Sequence, residues 1–203
     1  MRRACSNVAA AASAALVACS TPSAVMMTPP PTSSPPPGQP FQATGGVAFD
    51  AQGLGARVEY GPWGVTGPGV ELVYAGGGQW SGRLDGADVR ISTSWGRIYA
   101  PGLDIRVSQS GKELIVRGAW YGRHVDLTVS TTRLSGSPDG GTCSFRFTAA
   151  GPGLLAGELG CGGADGGKGS ASNGSLRLAG EAALLPEVLM PQFVLALLCA
   201  LPH

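Results

Sequence analysis

The stretch "KELIVRGAWYGRHVDLTV", Lys112 to Val129, gathers a histidine, an aspartate and several cations among apolar residues. His124 and Asp126, two residues apart, are the types that would serve as a general base and the carboxylate orienting it. Whether they do so depends on the faces they occupy. The chain has only two histidines, the other being the terminal His203, and shows no cluster with metal-ligand spacing. "GADGGKGS", ending at Ser170, approaches a phosphate-cradling loop, but Gly169 stands where serine or threonine would hold the metal. "GGADGG" is a single copy of a pattern that binds calcium only in tandem.

The elements that must position these residues are strands. Between Gly45 and Gly180, short alternating segments are separated by turns bearing glycine, the signature of antiparallel β structure. Register offers a test, since a one-residue slip turns every side chain over. A turn at Ser110-Gly111 sets Val107 against Leu114 and Ile105 against Val116, and one at Tyr121-Gly122 sets Val116 against Leu127. Turns at Pro101-Gly102, Trp95-Gly96, Asp85-Gly86 and the glycines 76 to 78 extend the same apolar face through seven consecutive strands. Farther along, "CSFRFTAAGPGLLAGELGC" folds about Pro152 and sets Cys143 directly opposite Cys161, close enough for a disulfide.

On this pattern Leu114, Val116, Val125, Leu127 and Val129 point inward, while Arg117, His124 and Asp126 point outward. The opening stretch is therefore two faces of one hairpin, and His124 with Asp126 is a solvated pair; no catalytic residues are expected. Arg117 is placed opposite Asp104 and Asp126, and Arg83 opposite Glu71 and Asp88, as cross-strand charge ladders. Arg97 and Arg106 fall opposite each other, a destabilising arrangement that an anion such as a phosphate or sugar carboxylate would relieve. The inward glycines Gly82 and Gly118 suit either a cavity or close packing of a helix.

Adding Arg57–Tyr60 and Ser175–Leu178 gives about ten strands, with residues 131 to 142 as a long loop. The expected fold is mainly β: an antiparallel up-and-down meander forming a curved sheet or small barrel, with one apolar C-terminal helix at about 187 to 201. That helix is apolar nearly all round and must be covered, as plug or cap, and Cys199 within it is a buried hydrophobe.

The N-terminal sequence runs Met1-Arg2-Arg3, an alanine-rich apolar stretch, then Leu16-Val17-Ala18-Cys19. These four residues resemble the lipobox of bacterial lipoproteins. The resemblance implies a signal peptide at 1 to 18, lipidation of Cys19 with palmitate-type chains, and, since Ser20 rather than aspartate follows, an outer-membrane destination. Residues 19 to 44 are rich in proline, serine and threonine and form a tether reaching roughly 75 Å at about 3.1 Å per residue. Residues 45 to 203 form one domain. Without Arg2 and Arg3 the chain would hold 14 − 2 = 12 basic against 13 acidic side chains, a balance that offers no nucleic-acid footprint.

A non-catalytic envelope lipoprotein is therefore expected, binding an envelope protein or cell-wall component and needing no cofactor. The alternative is a carrier of lipid or another apolar ligand with the helix as lid, which resembles, in architecture only, the periplasmic lipoprotein carriers that wrap a half-barrel round a helix.

Overall fold

The computed structural model describes residues 41–51, 54–94, 96–141, 143–162, 170–184 and 191–202. The signal peptide, the lipobox, all but the last residues of the tether, most of the Gly162–Ser170 loop and His203 lie outside these residues, as do Trp95 and residues 185 to 190.

Fourteen antiparallel strands close into one barrel in sequence order, with the first pairing to the last. They are β1 (Gly45–Ala51), β2 (Leu54–Gly61), β3 (Gly64–Gly67), β4 (Val70–Gly76), β5 (Gln79–Leu84), β6 (Ala87–Ser94) and β7 (Arg97–Ala100). The second half comprises β8 (Leu103–Ser110), β9 (Glu113–Trp120), β10 (Arg123–Val129), β11 (Arg133–Ser137), β12 (Cys143–Gly151), β13 (Leu154–Cys161) and β14 (Ser170–Gly180). A 3-10 turn at Glu181–Leu184 and helix α1 (Pro191–Ala200) follow. The expectation of about ten strands was too low. β1 and β3 are additional, and Arg133–Ser137, inside the expected long loop, is β11.

Most hairpin registers agree with the sequence. Trp80 faces Ile91, Thr93 faces Ile98, Ile98 faces Ile105, and Val116 faces Leu127. One differs. The β8–β9 loop is Gly111-Lys112 rather than Ser110-Gly111, so Val107 faces Val116 and Ile105 faces Gly118. Gly111 occupies the left-handed region with φ of 58°, as the first position of such a tight hairpin loop requires. The shift is two residues, which preserves the inward face but moves every outward partner. Asp104 lies opposite Ala119 instead of Arg117, and Arg106 takes the place across from Arg117.

Inward residues from every strand join α1 in one apolar core. An eight-stranded barrel is filled by its own side chains, whereas fourteen strands enclose more space than inward side chains alone occupy. Helix α1 fills part of that space, packing inside β1, β2 and β3 with nine of its ten residues buried. Phe193 near its start meets Tyr60 at the end of β2, ring centroids 6.2 Å apart. Cys199 near its end lies close enough to Asp85, in the β5–β6 turn, for that carboxylate to act on its thiol, and close enough to Tyr121, in the β9–β10 turn, for the thiol to act on the phenol. Since β2 runs away from the barrel end that carries those turns, the helix runs along the interior between the two ends.

The inward glycines have a different use from the one expected. A side chain at Gly82 would strike the backbone carbonyl of Glu71, and one at Gly118 that of Asp104, at φ values of 151° and 145°. These positions let neighbouring strands approach where the wall bends, and they open no cavity.

The outer face carries Arg106, Arg117 and Asp126 near mid-strand, and Glu71 and Arg83 nearer the strand ends. Charge outside and apolar side chains inside is the reverse of the alternation of a membrane-spanning barrel. Among the described residues no helix is long and apolar enough to cross a membrane.

Candidate binding face on the outer barrel wall

Cys143 and Cys161 are directly opposed on β12 and β13 and form a disulfide. The cross-strand register that places their side chains on the same side of one pair is what joins them.

Arg97 and Arg106 face each other across β7 and β8, as their spacing indicates. The structure adds Arg117, opposite Arg106 on β9, so three arginines form one row across three adjacent strands. The two outer members are neutralised. Arg97 donates through Nε and a terminal nitrogen to the two carboxylate oxygens of Asp104, at 2.6 and 2.8 Å, and Arg117 Nε donates to Asp126 at 2.9 Å. Hydrogen bonding from Arg97 holds the Asp104 carboxyl below its usual range, and the charges of Arg97 and Arg106 act in the same direction. The guanidinium of Arg97 also lies 5.4 Å from the ring centre of Tyr99, which is exposed. Among the described residues no carboxylate lies within ion-pair distance of Arg106, the exposed middle member.

The row borders a shallow groove of about 500 Å³ lined by Gly96, Arg97, Arg106, Ser108, Ile115 and Arg117. On the far side of Asp126 a second concavity of about 600 Å³ includes Arg133, Ser135, Ser137, Arg146 and Glu158. Both are open features of the outer wall.

The other candidates separate. His124 lies on the outer face opposite Ala119, and Asp126, two residues on, is engaged by Arg117. Among the described residues no group of three or more histidine, cysteine, aspartate or glutamate side chains could hold a metal ion. Cys199 is partly buried, and burial pushes its thiol up to about 12. Burial, aided by the charge of Glu181, pushes the Tyr60 phenol well above its usual value. Neither is poised as a nucleophile, because both are held in their neutral forms. Gln192 is buried at the start of α1 with its side-chain carbonyl unpaired.

Sequence reasoning found two of the three arginines in the row. Arg117 was missed through the two-residue shift of the β8–β9 loop, which leaves every side chain on its face and changes only the partner across the ladder.

Comparison of the chain with models of protein families, with curated proteins and with solved structures found no match.

Proposed function

We propose that the chain is a non-catalytic lipoprotein of the bacterial envelope, anchored through acylated Cys19, whose barrel is a binding or structural module held off the membrane by the proline-rich segment 19 to 44. The observation that carries this reading is the division of the barrel: its own buried helix packs inside β1, β2 and β3, while its charged groups are ranged along the outer wall. A partner would meet that outer wall, an envelope protein or a cell-wall component being the expected kinds. The Cys143–Cys161 disulfide fits an oxidising compartment. Serine after the lipidated cysteine favours the outer membrane.

The carrier alternative requires α1 to leave a position in which nine of its ten residues are buried. The burial of α1 against β1, β2 and β3 therefore supports the non-carrier reading.

The anchor is tested by growing a bacterial host that expresses the full chain with radiolabelled palmitate. The wild-type chain should take up label and fractionate with the outer membrane, and Cys19→Ala should do neither. An unlabelled wild-type chain would overturn the lipoprotein reading.

A further inference from the structure

The row Arg97, Arg106 and Arg117 is an arrangement that folding alone disfavours. Like charges directly opposite on neighbouring strands repel, and this row contains two such pairs in succession. Asp104 and Asp126 each take one outer arginine, leaving the cluster with three positive and two negative charges and the surplus at Arg106. We propose that this row is a binding site for a phosphate group, with Arg106 as its principal ligand and Arg97 and Arg117 as flanking donors. The proposal deepens the reading of the barrel as a binding module and rests on it.

The chemistry selects phosphate over carboxylate. A carboxylate offers two oxygens in a plane and is satisfied by a single guanidinium fork, as Asp104 is by Arg97. A terminal phosphate offers three oxygens and close to two charges, enough to engage Arg106 bidentately while drawing on the arginine to either side. Neighbouring strands stand about 4.8 Å apart, so side chains as long as arginine can reach one group from all three strands. The groove beside the row also holds the Ser108 hydroxyl, a neutral donor, and Ile115, an apolar floor. Such a phosphate could be free or could belong to a lipid headgroup, and the same three side chains would read either.

The test is calorimetric titration of the full chain, in detergent, with inorganic pyrophosphate. Saturable binding should weaken as salt is raised. Arg106→Gln should lower the affinity tenfold or more with its melting temperature unchanged or raised, since one repelling charge has gone. Arg83→Gln, which removes an outer-face arginine set between Glu71 and Asp88, should leave the affinity as it was. Absence of saturable binding at millimolar pyrophosphate would overturn the proposal, and so would equal weakening by both variants. A competition arm identifies the source once binding through Arg106 is established. Displacement of pyrophosphate by phosphatidic acid, whose headgroup is a terminal phosphate, but not by phosphatidylcholine, both presented in mixed micelles, assigns the site to a lipid headgroup, and displacement by neither assigns it to a free phosphate. The titration does not read the anchor, so its failure would leave the palmitate result standing, and failure of palmitate uptake would leave the titration untouched.

Discussion

Tyr74 and Trp80 face each other across β4 and β5 with ring centroids 5.0 Å apart, and both are almost wholly buried. The contact is tied into the adjoining turn. The Tyr74 hydroxyl accepts the Gly78 amide at 2.9 Å, and Trp80 Nε1 donates to Thr93 Oγ1 at 3.4 Å, which in turn donates to the Gly78 carbonyl at 3.1 Å. Trp80→Ala removes a large core side chain and takes from Thr93 Oγ1 the indole N–H that donates to it, so it should destabilise the fold by about 3 to 5 kcal/mol. Chemical denaturation measures this, and an unchanged midpoint would refute the inward placement of Trp80.

The disulfide closes a loop between residues 18 apart. In the chain-entropy model, replacing Cys143 and Cys161 together by serine should lower stability by about 3 kcal/mol. Alkylation under denaturing, non-reducing conditions should label neither of them, and two additional labels after reduction would be the expected mass shift. Labelling of both before reduction would exclude the bond.

Cys199 and Tyr60 together set the behaviour at alkaline pH. Both have folded values raised above those of the unfolded chain, the thiol up to about 12. Below pH 9 both are protonated folded and unfolded, and their contribution is fully present. Above pH 9 the unfolded chain releases the thiol proton while the folded chain retains it, so stability falls, and above about pH 10 the phenol adds to the loss. The decline should approach about 1.4 kcal/mol per pH unit for each proton so released. Denaturation midpoints between pH 7 and pH 11 check the sign, and Cys199→Ala should delay the onset toward pH 10.

Gly118 offers a local test of how the wall bends. An alanine there would place Cβ against the Asp104 carbonyl at a backbone angle that side chains rarely adopt. Gly118→Ala should cost about 1 to 3 kcal/mol for the backbone conformation, with the clash in addition. An alanine variant as stable as the parent would show that the strands do not approach closely at that point.

Much of the barrel was legible because alternation and turn residues are local signals. From β4 to β10 the hairpins bring apolar against apolar across short turns, save β6–β7 where Thr93 meets Ile98, and the cysteines of β12 and β13 mark their own register. Alternation is blind to a shift of two, however. Moving the β8–β9 loop from Ser110-Gly111 to Gly111-Lys112 leaves Val107, Leu114 and Val116 inward, and nothing in the periodicity distinguishes the two placements. That ambiguity hid the third arginine of the row.

The overlooked strands lacked local signals of another kind. β3 is four residues long, and β11, "RLSGS", has one large apolar residue. β1 has a clear apolar alternation in Val47, Phe49 and Ala51, yet half of its pairing is to β14, more than 120 residues away, where no turn announces the partner. Helix α1 was readable from Pro191 and its unbroken apolar run, whereas its enclosure depends on the number of strands around it.

Strand β14 pairs with both β1 and β13, and helix α1, reached through the 3-10 turn, packs inside β1, β2 and β3. Without β14 the wall would have an open edge at each of those two neighbours. A ring so closed has no free strand edge among the described residues, so its wall offers no row of unpaired backbone groups on which a second chain could add a strand.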